Sequence, residues 1–181
     1  MQSGRISSLI IILTLSISSG ALVGAQDYGF PDWENSVAFD LLVSQKPVRP
    51  GDSFELALVA YIKDGYHLYG PEEQEPSRTQ VAVEGGGLIS GEPEYPPTIR
   101  RELTGLGEYE LYEDHVAIRV PMKLKSHAQI GSRKARLTVL YQICTDYSCS
   151  APTSDELVIA LETAESDAKV QLLYPSIFTE K

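Results

Sequence analysis

The sequence predicts an all-β fold, an antiparallel β-sandwich, on three observations. Segments of alternating polar and apolar residues recur along the chain, Gly- and Pro-rich turns separate them, and no run of ten or more residues carries helical periodicity. Seven or eight short strands are expected, within one domain and without internal repeats.

The first strand is expected over Ser36 to Ser44, closed by a double-proline turn at Lys46-Pro47-Val48-Arg49-Pro50-Gly51-Asp52. Ser53 to Lys63 alternates, with Phe54, Leu56, Leu58, Ala60 and Ile62 on one face and Glu55, Ala57, Val59, Tyr61 and Lys63 on the other. Asp64-Gly65 is a tight-turn dipeptide leading into Tyr66-His67-Leu68-Tyr69. A short strand is expected at Thr79 to Glu84, before Gly85-Gly86-Gly87. Glu92 to Leu106, with three prolines and two arginines, reads as an irregular excursion. His115 to Lys125 alternates again, with Val116, Ile118, Val120, Met122 and Leu124 inward. Lys134 to Cys144 and Glu156 to Glu162 complete the set, and the tail over 163–181 has mild helical or disordered character.

Composition narrows the function. The 181 residues hold 15 basic and 25 acidic side chains, for a net charge of −10. No nucleic-acid partner is expected, because binding one needs a basic footprint that releases counterions. Two cysteines are too few for a disulfide-scaffold miniprotein or a four-thiolate zinc site.

The N-terminus has the order of a secretory leader. Arg5 precedes the apolar run Leu9 to Leu15, and Val23 and Ala25 suit a signal-peptidase site. A cleaved leader is expected over 1–25, followed by an extension over 26–35 and the domain over 36–162. Export places the cysteine pair in an oxidising compartment.

Cys144 and Cys149 stand five positions apart, after the apolar strand Leu137 to Ile143. The interval lets the chain turn, so the two can approach the ~5.5–6 Å Cα separation usual for a disulfide. One role for such a bridge is to pin a hairpin. A ring this small stabilises by only about 2 kcal/mol on the loop-entropy estimate, a modest gain for a domain with its own core. The other role is exchange, since a bridge at a turn is open to a partner thiol. Spacing alone leaves both open: a redox pair, or a non-catalytic interaction module stapled by a structural disulfide.

The segment Tyr141-Gln142-Ile143-Cys144-Thr145-Asp146-Tyr147-Ser148-Cys149-Ser150-Ala151-Pro152 resembles the Y-Q-x-C-x-D-x-x-C-x-x-P motif of the N-terminal periplasmic domains of DsbD thiol:disulfide interchange proteins. Val48-Arg49-Pro50-Gly51-Asp52, Asp64 to Tyr69, Tyr95-Pro96 and the Gly107…Tyr109…Tyr112 stretch are similar to further motifs of that family, in the same order. The resemblance implies an immunoglobulin-like sandwich in the periplasm whose cysteine pair, Cys144 and Cys149, is catalytic. It implies an enzyme of the protein-disulfide reductase type if the pair is redox active. Cys149 is expected to form the mixed disulfide and Cys144 to resolve it. The implied partners are a thioredoxin-like electron donor fed by a membrane thiol-disulfide transporter, with a disulfide isomerase or a cytochrome c maturation protein as acceptor. Full-length family members continue into a transmembrane and a thioredoxin-like domain, so the chain ending at Lys181 is expected to act as a free-standing module.

The chain departs from the family where a cap loop with two acids and an aromatic ring covers the cysteines. Its counterpart here is Leu103-Thr104-Gly105-Leu106-Gly107, in which Leu106 is placed to cover the pair in part and Glu102 and Glu108 flank the loop. His67 and Tyr69 share a strand face by period two, and by resemblance that face lies near the cysteines. His67, Tyr69, Leu106 and Asp146 are therefore taken as the surround of the pair. Tyr95, Tyr109 and Tyr112 read as packing residues. No H-x-H or C-x-x-C spacing joins His67, His115, His127 and the cysteines into a metal site, and no cofactor is expected.

Overall fold

A computed structural model describes residues 31–103, 105 and 107–179. The leader expected over 1–25, the start of the extension, and Leu106 lie outside the described residues. Two antiparallel sheets form the body. The first joins β1 (Val37–Val43), β3 (Ser53–Ile62), β9 (His115–Leu124) and β6 (Leu88–Ser90) in the order β1-β3-β9-β6. The second joins β12 (Thr153–Thr163), β10 (Gly131–Tyr141) and β5 (Gln80–Gly85). A third sheet of β11 (Ile143–Cys144), β4 (His67–Tyr69), β8 (Gly107–Tyr112) and β7 (Ile99–Leu103) runs in the order β11-β4-β8-β7. A small pair joins β2 (Gln45–Lys46) to β13 (Gln171–Leu172).

The architecture is the expected all-β, immunoglobulin-like sandwich, and its core follows the alternation of the long strands. Leu56 and Leu58 of β3 and Ile118 and Val120 of β9 meet Leu137 and Val139 of β10 in one buried cluster. Each fully buried Leu or Val contributes roughly 1.5–3 kcal/mol. At its centre β3 departs from simple alternation. Ala57 and Val59, expected to face outward, are as buried as their neighbours, for β3 lies between β1 and β9 and α1 (Pro175–Phe178) packs beside it. The β3–β4 connection is the turn the sequence marks: Tyr66 N–H donates to Lys63 O at 3.0 Å, and Gly65 takes φ +82°, which suits a residue without Cβ.

The stretch read as irregular is corrected. Ile99–Leu103 is a strand, paired with β8 from Ile99↔Leu111 to Leu103↔Gly107. Its sequence, IRREL, has no apolar alternation because it is an edge strand, held by its neighbour and by cross-strand charge. Arg100 faces Glu110 with a 3.0 Å ion pair. The tail is corrected as well: Gln171 and Leu172 pair with β2, and one turn of helix follows, begun by Pro175.

The third sheet positions the cysteines. Ile143, Leu68 and Tyr112, adjacent across β11, β4 and β8, join the main core. Cys144, Tyr69, Leu111 and Leu103 form a second buried cluster, with Tyr109 packed against it.

Candidate functional site

The site begins where β10 ends. Gln142 interrupts the strand, and the chain then leaves its β5 and β12 partners to pair with β4 through Ile143↔Leu68 and Cys144↔His67. A tight hairpin follows. Ser150 N–H donates to Ile143 O at 2.9 Å and Thr145 N–H to Ser148 O at 2.8 Å. The Gln142 amide donates to Ser150 O at 2.8 Å and closes the base. At the tip, Thr145 Oγ1 accepts from the N–H groups of Tyr147 at 3.3 Å and Ser148 at 3.2 Å, a local bond that favours a turn.

Between the bonded pairs 143–150 and 145–148, the two cysteines stand directly opposite as a non-hydrogen-bonded pair and are joined by a disulfide. Their Cα atoms are 4.0 Å apart, closer than the spacing expected from the sequence. In a two-stranded ribbon such a pair sits near ~4.5 Å, so the hairpin rather than the bridge sets this distance. The two cysteines differ in exposure: Cys144 is 0% exposed, whereas Cys149 is exposed beside a tip whose Tyr147 is 89% exposed.

Around the bridge the third sheet supplies three rings and the cation Arg101, and two carboxylates stand at the hairpin tip and just past β8. His67, opposite Cys144, is buried, and its ring meets Tyr69 edge-on at 5.8 Å. Tyr69 Oη lies 3.9 Å from Cys149 Sγ, and its ring stacks obliquely on Tyr109 at 5.4 Å. On β7, Arg101 stands opposite Tyr109 and reaches the hairpin tip, where Nη2 donates to the Asp146 oxygens at 2.9 and 3.0 Å. Its Nη1 pairs with the Glu113 carboxylate.

Burial and these charges set the protonation of the rings. Burial holds the His67 pKa below its ordinary value; Asp146 and Glu113 pull it up and Arg101 pushes it down, without reversing the shift. Burial raises Tyr69, helped by Tyr109 and Glu73. At neutral pH His67 is thus an uncharged imidazole and Tyr69 a phenol.

The structure brings Cys144, Cys149, His67, Tyr69 and Asp146 together, while the expected contribution of Leu106 lies outside the described residues. Apolar cover over the buried sulfur comes from Leu103 and Leu111. Sequence reasoning missed Arg101 and Glu113 and assigned Tyr109 to packing alone. The only trace of Arg101 in the sequence is its carboxylate partner 45 positions away, which no local periodicity reveals.

Residues 38–161 match the family model described as thiol:disulfide interchange protein DsbD, N-terminal. The thiol:disulfide interchange protein DsbD of Escherichia coli (strain K12) is 27% identical over 168 residues, covering 92% of this chain and 26% of the relative. The Shigella boydii serotype 4 protein of the same name matches equally, so the chain spans about a quarter of these relatives. Among solved structures, the reduced Neisseria meningitidis DsbD N-terminal domain aligns at TM-score 0.41 and 17% identity, over 75% of this chain and 90% of that one. The N-terminal periplasmic domain of ScsB from Proteus mirabilis aligns at TM-score 0.48 and 17% identity, over 77% and 52%. The family match over most of the described sandwich means that the chain belongs to the DsbD N-terminal domain family.

Proposed function

We propose that the protein is an exported, periplasmic thiol–disulfide exchange module that passes electron pairs through Cys144 and Cys149. The observation that carries this is the asymmetry of the bridge: Cys149 is an exposed residue beside the hairpin tip, and its partner Cys144 is fully buried. A purely structural staple has no need of such access, whereas exchange requires it.

The asymmetry orders the steps. A donor thiolate attacks Cys149 Sγ, the S–S bond breaks, and the electron pair leaves on Cys144 Sγ, which then takes a proton. The donor's second thiol attacks the mixed disulfide and frees Cys149, leaving the donor oxidised and the module as a dithiol. In the second half Cys149 attacks an acceptor disulfide and Cys144 resolves the mixed species. Two electrons move in each half. A thioredoxin-like dithiol protein suits the donor role, supplied in turn by a membrane thiol-disulfide transporter. A disulfide isomerase or a cytochrome c maturation protein suits the acceptor.

Trapping tests this. The Cys144→Ser variant is expected to accumulate a mixed disulfide through Cys149 with a thioredoxin-like partner, and Cys149→Ser to trap little. A reduction potential below about −300 mV, with no trapping by either variant, makes the bridge a structural staple instead.

A further inference from the structure

His67 Nε2 is a buried polar atom with no hydrogen-bond partner. His67 as a whole is 1% exposed, so solvent does not serve it, and leaving such an atom unpaired costs roughly 1–3 kcal/mol. The exchange steps above give it no task in the oxidised protein. Its position is specific: His67 is the cross-strand partner of Cys144, and directly opposed residues project to the same face with Cβ atoms ~4.5–5.5 Å apart.

Reduction changes what lies opposite. When Cys149 is attacked, the electron pair settles on Cys144 Sγ, within the cluster of Leu103, Leu111 and Tyr69. A thiolate there has lost its water, and burial raises the thiol's pKa. We propose that His67 Nε2 is the partner of the Cys144 sulfur in the reduced protein, donating its N–H to the departing thiolate. This rests on the exchange reading and adds a residue to it. The bond that breaks is Cys144–Cys149, the sulfur accepts the electron pair, and the imidazole N–H stabilises it until a proton arrives from solvent. The oxidised state keeps the nitrogen unpaired, so its pairing energy is released on reduction and favours the dithiol form.

The charges around the imidazole suit this. Asp146 at the hairpin tip, Glu113 beyond β8 and Arg101 from β7 act on it by charge, and Tyr69 meets its ring edge-on with Tyr109 packed behind. Arg101 is engaged by both carboxylates and so does not compete with His67 for the thiolate. A new negative sulfur beside the ring favours its protonated form.

The test follows the histidine ring C–H resonances against pH in the oxidised protein and after chemical reduction with a phosphine. The expected result is a higher apparent pKa for His67 in the reduced state. In His67→Phe the thiolate absorbance of the reduced protein should appear at higher pH. Its equilibrium with glutathione should shift about tenfold toward the disulfide. His67→Gln, which keeps an N–H donor but cannot titrate, should recover part of that shift. Near-UV circular dichroism of the oxidised variants checks the fold. Identical His67 titration in both redox states, or a His67→Phe equilibrium equal to wild type, overturns the proposal. Because reduction is chemical, this outcome is independent of whether a partner is trapped, and failure of trapping alone overturns the exchange reading instead.

Discussion

Arg101 on β7 grips both carboxylate oxygens of Asp146 at the hairpin tip, at 2.9 and 3.0 Å, across 45 positions of sequence. The same guanidinium pairs with Glu113, so one side chain ties the tip to β7 and to the residue that follows β8. Both partners of the Asp146 contact are about two-fifths exposed, at 37% and 43%, which limits the pair to roughly 0.2–1 kcal/mol. Arg101→Gln should therefore lower urea stability by no more than about 1 kcal/mol. The local effect should be larger, with faster amide exchange at Tyr147 and Ser148. Combined with Asp146→Asn, the coupling energy should fall near 0.5–1 kcal/mol, and strict additivity would deny the tie.

That relationship also marks where sequence reasoning stopped. β3, β9 and β10 were legible because each buries one face against the opposing sheet, and burial imposes period two on the residues themselves. β7 was not, since an edge strand with Arg100 and Arg101 owes its pairing to β8 rather than to its own pattern. The cysteine hairpin was legible from a local interval and a motif. Of its platform, the His67 and Tyr69 face was legible from the resemblance, whereas the Cys144↔His67 register and the Arg101↔Tyr109 opposition are set by strands distant in the chain. The burial of Ala57 and Val59 likewise is not written in the alternation of β3, which lies between β1 and β9 in the sheet.

Gly70 ends β4 beside the site and admits no side chain. A Cβ there would meet Thr98 Cγ2 at 2.7 Å and Glu110 O at 3.0 Å, where Gly70 N–H donates to the same oxygen at 2.7 Å. Gly70→Ala must therefore push β4 from β8, and a loss of about 1–3 kcal/mol in chemical denaturation is expected. Gly86, with nothing within 4 Å of its Cβ position, is the control. Gly86→Ala should stay within about 0.5 kcal/mol of wild type.

An exchange module has to remain folded when its bridge opens. The ring between Cys144 and Cys149 is short, with a sequence separation of 5, so reduction removes only about 2 kcal/mol of denatured-state constraint. The sandwich core does not depend on it. Reduced protein should keep its far-ultraviolet circular dichroism and a cooperative transition, with the midpoint lowered in proportion to that loss. A replacement at buried Cys144 should cost more than one at exposed Cys149, since a serine hydroxyl at position 144 enters an apolar cluster. Equal losses at the two positions would contradict the difference in burial.

His67 makes stability depend on pH in a calculable direction. Its folded-state pKa lies below the ordinary value because burial penalises the imidazolium, while the unfolded chain titrates near 6.5. Between those two values the unfolded state binds the extra proton, so stability falls as pH drops through that window. Above it both states hold neutral His67, and the residue has no effect on the slope. His67→Phe removes the linkage and leaves the carboxylates and the other histidines in place. The comparison is therefore a difference of differences: urea midpoints at pH 7.5 and pH 5 for both proteins, with the wild type losing more on acidification. If the two lose equally, Asp146 and Glu113 balance the burial of His67 and the residue carries no linkage. A wild type that loses less than His67→Phe would reverse the sign assigned to the histidine here.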